Sequence, residues 1–239
     1  MDARENTAVW SRVLQTASTG GGPVSLSAGC TACREDIGAD GLGVSLITRG
    51  EIRTVAYATD PRSYQLEDAQ LVAGQGPCTE AYLRRRVVET DLHPAAEQWP
   101  FFARTAAELG IRSVTAVPLL VGDDVPIGAM DIYRTTTSPL TTADRTRLEA
   151  YSRVLALLAL DAHPALIGWD QASPETAPIG YPPLVHQAAG AAAEASGVSV
   201  EDALARMRAH AFSNQRLLLD IARDILAGRL RLEEDRDTP

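Results

Sequence analysis

Apolar positions recur along the chain with two periods, and the change from one to the other marks the elements. Between residues 4 and 17, Val9, Trp10, Val13 and Leu14 fall at helical spacing, and the Gly-rich run 18–22 closes the segment. Residues 24–37 bring Leu26, Cys30, Cys33 and Ile37 onto one helical face. The pattern then becomes strand-like over 41–47 and 52–58, with 48–51 (Thr-Arg-Gly-Glu) as a hairpin turn. Residues 63–72 read as a helix. Gln75, Gly76 and Pro77 form a turn, with Pro77 suited to open a helix over 78–84. A short strand over 87–90 precedes a helix over 101–109 that Gly110 closes. Residues 113–121 and 127–134 predict a strand pair around Gly122, Asp123 and Asp124, which read as a solvated turn. Residues 142–160 predict a long helix striped by Leu148, Tyr151, Leu155 and Leu158, with Thr141 and Asp144 spaced as a capping box. The order α-α-β-β-α-α-β-α-β-β-α predicts an α+β fold, an antiparallel sheet with flanking helices. Both end helices are amphipathic, so they are candidates for a dimer bundle.

Residues 163–183 break this pattern. Pro164, Pro174, Pro178, Pro182 and Pro183 fall in that short stretch, which suits neither a helix nor a central strand. The chain is therefore expected to hold a first domain over 1–162, a Pro-rich linker over 163–183, a small helical domain over 184–232 and an acidic tail over 233–239. The helical domain reads as three helices. The first, 184–195, is rich in alanine and stopped by Gly197. Ser199 is the expected N-cap of the second, whose apolar face is Val200, Ala203, Leu204, Met207 and Ala211. Ser213 or Asn214 caps the third, which faces Leu217, Leu218, Ile221, Ala222, Ile225 and Leu226 inward before Gly228.

Charge narrows the function. The chain has 22 Lys+Arg, all of them arginine, against 31 acids, for a net charge of −9. A basic nucleic-acid coat over the whole surface is excluded. The helical domain differs, with six arginines (206, 208, 216, 223, 229, 231) and five acids. No apolar run reaches the ~20 residues that span a bilayer. The first ten residues lack the basic and apolar regions of a secretory signal, and three cysteines do not make a disulfide framework. A cytoplasmic location is expected. Cys30 and Cys33 form a CxxC inside a predicted helix, without further ligands near them, and are read as core thiols. Cys78 stands at a helix start, where a thiolate would be stabilised, although packing of a small side chain is the plainer reading. Arg84, Arg85 and Arg86 read as a solvated helix end. The four histidines are scattered, and no nucleotide or nucleophile motif occurs. No enzyme, cofactor or metal site is expected.

Two family resemblances emerge. The order of elements resembles GAF domains, in the variety common in actinobacteria. So do the turn Gly74-Gln75-Gly76-Pro77-Cys78, the run 111–118 and the following 128–133. This resemblance covers about residues 10–160 and implies a sensor of a small molecule, redox state or partner. Ser45, Cys78, Thr115, Asp131 and Tyr133 are the candidate pocket residues. Asp131 falls inside a strand, where a carboxylate needs a partner or a solvated pocket. The helical region resembles the ANTAR domain in His186-Gln187-Ala188-Ala189-Gly190, in residues 197–204 and 207–212, and in Asp220-Ile221-Ala222. It departs at Ala191, where that family usually has a larger residue. ANTAR domains bind RNA, typically tandem stem-loops in nascent transcripts, and so keep a terminator hairpin from forming. The resemblance implies the same here, in a homodimer. Candidate RNA contacts are His186, Gln187, Arg206, Arg208, His210, Asn214 and Arg216. Each has a plainer reading: the histidines as helix-surface residues, Asn214 as a helix cap, Arg208 as an ion-pair partner. Phe212 is expected in the core. The competing function is a protein-docking scaffold that ignores RNA.

Overall fold

A computed structural model describes residues 3–48, 52–92, 98–122, 125–137, 139–162 and 183–232. The chain divides into two compact units, Met1–Gly180 and Tyr181–Pro239. The expected turn residues 49–51, 123 and 124, the linker up to residue 182, and the tail 233–239 lie outside the described residues.

The first unit has the expected order of elements. Helices α1 (Ala3–Thr19) and α2 (Leu26–Ile37) precede strands β1 (Gly41–Thr48) and β2 (Ile52–Ala58). Then come α3 (Pro61–Ala73), α4 (Pro77–Arg84), β3 (Val88–Asp91), α5 (Pro100–Glu108), β4 (Ser113–Val121), β5 (Val125–Arg134) and α6 (Thr142–Ala162). The five strands form one antiparallel sheet in the order β2-β1-β5-β4-β3. Its two hairpins, β1/β2 and β4/β5, are joined by the pairing of β1 with β5.

Strand alternation gives the sheet two different faces. Cross-strand partners Leu42 and Ile132, then Val44 and Met130, point one way with Val117 and Leu119. They pack on Val9 and Val13 of α1, Cys30 and Cys33 of α2, and Leu148, Tyr151 and Leu155 of α6. Each of the large side chains so buried contributes about 1.5–3 kcal/mol. The opposite face carries Gly43, Ser45, Ala116, Ala129, Asp131 and Tyr133 and is covered by α3, α4 and α5. That face mixes small and polar side chains, and the candidate site lies there.

Local signals fix the element ends. Asp60 accepts from the backbone N–H groups of Arg62 and Ser63 at the start of α3, and these bonds with Ser63 Oγ hold its carboxyl below the usual range against the opposing effect of burial. Thr141 and Asp144 cap α6 reciprocally: Asp144 N–H donates to Thr141 Oγ1 at 3.1 Å, and Thr141 N–H donates to Asp144 Oδ2 at 3.1 Å.

Among its described residues the second unit has three helices, α7 (Pro183–Ser196), α8 (Val200–Ser213) and α9 (Leu218–Leu226). Pro183, expected in the linker, instead opens α7, where its missing N–H costs nothing. The core is Val185, Ala188, Ala189, Ala192 and Ala193 of α7, Ala203, Leu204, Met207 and Ala211 of α8, and Leu218, Ile221 and Ala222 of α9. Ser199 caps α8, accepting from Asp202 N–H at 3.0 Å.

Three apolar side chains expected in this core are exposed: Phe212, Val200 and Leu226. On α8, Ala203, Leu204, Met207 and Ala211 already fill the inward arc, and Phe212 lies beyond its edge. Leu226 ends the last turn of α9, where the core has run out.

Candidate functional site

The site is built from two short stretches of polar residues that the first unit buries. In α3, Glu67 and Gln70 stand at i and i+3, so one helical face presents both to the sheet. In β5, Asp131 and Tyr133 stand at i and i+2, so one strand face presents both to α3. Ser45 arrives from β1 on the same face, and Cys78 from the first turn of α4.

These groups form a connected network. Ser45 Oγ donates to Glu67 Oε2 at 2.6 Å, and Tyr133 Oη donates to Glu67 Oε1 at 2.7 Å. Tyr133 Oη also lies 3.3 Å from Asp131 Oδ2. Gln70 Nε2 donates to Asp131 Oδ2 at 2.5 Å, while its carbonyl accepts from the backbone N–H of Cys78 at 2.8 Å. Gln70 thus joins the carboxylate of β5 to the start of α4, whose own N-cap position, Gly76, offers no side chain.

All of these residues are buried; Glu67 is 1% exposed and Asp131 0%. Burial pushes the Tyr133 hydroxyl well above its ordinary range, and the nearby Glu67 and Asp131 push it the same way. A neutral Tyr133 is a donor, as the geometry uses it. Gly43 makes room for the network, since it faces the Glu67 carboxylate so closely that a side chain there would overlap it.

Of the five candidate pocket residues, the fold gathers four: Ser45, Cys78, Asp131 and Tyr133. Thr115 is placed apart. It pairs with Ile132, so its side chain points to the opposite face, beside Arg134 and Arg145 in a polar recess of about 300 Å³. Glu67 and Gln70 are central, yet the sequence reading passed over them. Polar residues in α3 resemble a solvated helix face, and only the strand register shows that they turn inward.

Glu67, Cys78 and Asp131 each bring a donor atom to within 4.8 Å of the others. The two acids of this group are the same ones that accept the hydrogen bonds of Ser45, Gln70 and Tyr133. Cys30 and Cys33 are fully buried, and burial raises both thiols well above the usual range. They are core residues and poor nucleophiles.

The pattern of the GAF domain family matches residues 26–158, more than half of the chain. The chain belongs to the GAF domain family. No curated protein matches it. Among solved structures it is similar to the GAF domain of an Acinetobacter phosphoenolpyruvate-protein phosphotransferase, at 15% identity and a TM-score of 0.49, over 69% of this chain and 98% of the other. It is also similar to the GAF domain of a two-component sensor histidine kinase from Bacillus halodurans, at 14% identity and a TM-score of 0.47, over 60% and 99%. The GAF domain of a Coxiella burnetii phosphoenolpyruvate-protein phosphotransferase gives 14% identity and a TM-score of 0.47, over 67% and 97%. The first unit is thus a GAF domain, a signal-sensing module, and the network lies inside it.

In the second unit the candidate RNA contacts do not form one patch. On α8, Arg206 and His210 follow one flank of the buried face at i and i+4, whereas Arg208 and Phe212 follow the other. Arg206 Nη1 is buried and makes no hydrogen bond among the described residues. His186 is half-buried, which lowers its pKa, and Gln187 beside it is exposed. Arg216 donates to Asp224 at 2.6 Å, and Arg229 binds the same carboxylate. Hydrogen bonds from the two arginines hold Asp224 below the usual carboxylate range. Asn214 ends α8 as its C-cap, with Nδ2 donating to His210 O at 2.9 Å, so it caps the helix before the one expected.

Proposed function

We propose that the chain is a signal-responsive RNA-binding antiterminator, in which the GAF domain senses a small molecule, redox state or partner and biases two helical units in a dimer. The observation that carries this reading is the joining, in one chain, of a GAF domain to a compact three-helix unit whose sequence resembles ANTAR. GAF domains commonly bind small ligands, which supports the sensing half. The RNA would be a pair of stem-loops, one for each unit. With Arg216 and Arg229 both held on Asp224 and Arg223 held on Asp220, each unit has few arginines without an acidic partner, so affinity depends on both units engaging together. Two copies would pair through α1 and α6, where Leu14 and Leu157 are exposed. Among the described residues no helix is long and apolar enough to cross a membrane. No catalytic role is assigned to the network.

Arg208 tests the RNA surface. It lies on the flank of the buried face of α8, so Arg208→Ala leaves the helical core intact. The expected result is RNA binding weakened about tenfold, the value of one charge-assisted contact, with unchanged helical circular dichroism. Unchanged affinity in a titration removes Arg208 from the site.

A second reading is favoured by one observation. Phe212, Val200 and Leu226 expose apolar surface on the helical unit, as a protein-docking module would. Steep salt dependence of RNA binding separates the two.

A further inference from the structure

Strand register sets a row of charged and hydroxyl groups across the sheet face that packs on α1, α2 and α6, away from the Glu67 network. Arg134 of β5 pairs with Ser113 of β4, and Ser113 pairs with Asp91 of β3. Directly opposed residues point the same way, and two strand spacings put the ends of this row about 10 Å apart at the backbone. The next row on that face holds Thr115 and Glu89. Arg145, near the start of α6, is paired with Glu89. These six residues line the polar recess of about 300 Å³. That is the lower end of the size of small-molecule sites.

Two groups in the recess have no partner among the described residues. Thr115 is 6% exposed, yet its hydroxyl makes no hydrogen bond there. Such a hydroxyl takes its partner from whatever fills the recess, water or ligand. The Asp91 carboxylate is more open and makes no ion pair there. The walls around both are held in place. Leu140 N–H donates to Glu89 Oε1 at 3.2 Å, Ser113 Oγ to Thr136 O at 2.7 Å, and Arg134 Nη2 to Ile37 O at 3.2 Å. Two arginines and two acids make the lining neutral as a whole. A simple anion would meet Glu89 and Asp91, and a simple cation would meet the arginines. A molecule that carries both charges satisfies both walls. We propose that this recess binds a compact zwitterion, with the size and charge pattern of a free amino acid. Its carboxylate lies on Arg134, its ammonium on Asp91, and the Thr115 hydroxyl bonds to it from the floor.

This names a ligand class for the sensing half of the proposed function and rests on that half alone. Binding is measured without RNA, so its failure and a failure of RNA binding are separate results. The common free L-amino acids are titrated one at a time into the full chain, by saturation-transfer NMR, with calorimetry on those that bind. At least one should bind at a single site per chain. Its N-acetyl and carboxamide derivatives, each lacking one charge, should bind about tenfold more weakly, the loss of one charge-assisted contact. Thr115→Val keeps the shape, suits a strand and removes the hydroxyl, so the urea midpoint should hold while affinity falls about fivefold. Asp91→Asn should weaken the amino acid about tenfold and leave its N-acetyl derivative unchanged. If Thr115→Val shifts the midpoint, Asp91→Asn, a change at an exposed residue, carries the test. No binding by any amino acid overturns the proposal. So does equal binding of the N-acetyl derivative, which would make the recess a plain anion site. Affinity unmoved by both substitutions also overturns it, because the molecule would then sit elsewhere in the chain.

Discussion

Gly43→Ala is expected to destabilise the GAF domain by about 2–4 kcal/mol, through overpacking and broken buried hydrogen bonds. A Cβ at this position would lie 2.1 Å from Glu67 Oε1 and 2.5 Å from its Cδ and Cγ. A surface glutamate would swing aside at little cost, but Glu67 has no solvent to enter. If it rotates, it abandons the Ser45 and Tyr133 hydroxyls and leaves buried polar groups unpaired. If it stays, β1 must move where Gly43 pairs with Asp131, and the other half of the network moves with it. The check is the urea midpoint of the tryptophan-reported transition. A midpoint equal to wild type would mean that the network is loosely held. Combining Gly43→Ala with Glu67→Ala should cost less than the two single changes together, because the second removes the obstacle met by the first.

Met207→Ala is expected to unfold the helical unit at 25 °C and to leave the GAF domain folded. Met207 is fully buried in a core otherwise made largely of alanines, with Val185, Leu204, Leu218 and Ile221 as the larger members. Truncating a buried methionine to alanine costs about 2–5 kcal/mol. A unit of this size has only about 3–5 kcal/mol to lose. Far-ultraviolet circular dichroism should fall by the contribution of α7, α8 and α9, RNA binding should disappear, and the GAF transition should keep its midpoint. Phe212→Ala is the control, because that ring is 48% exposed. A Met207→Ala chain with full helical signal would show that the unit draws its stability from elsewhere.

The elements were legible because each announces its own period. Leu148, Tyr151 and Leu155 mark the inner stripe of α6, and Thr141 with Asp144 marks its start. The site was legible only in part. Asp131 was conspicuous as a carboxylate inside a strand, and Tyr133 two residues on had to share its face. Glu67 and Gln70 were not, since nothing local separates a helix that buries its polar side from one that wets it. Thr115 was misgrouped for a similar reason: its face depends on the register that opposes it to Ile132, which is a pairing across the sheet. In the helical unit, Phe212 and Leu226 have core-like chemistry, but three short helices enclose little volume, and alanines fill most of it.

The central claim is that this GAF protein acts on RNA. The measurement that tests it most directly is a gel shift of the full-length chain, its dimerisation confirmed by sedimentation. The probes are a two-stem-loop RNA, the same RNA with one loop scrambled, and duplex DNA, each at two salt concentrations. The account predicts retention of the two-loop RNA, weaker by an order of magnitude or more when one loop is lost, and strongly reduced at the higher salt. Equal binding to all three probes, or none by a confirmed dimer across added redox agents and pH, would contradict it and leave the helical unit as a protein-docking module.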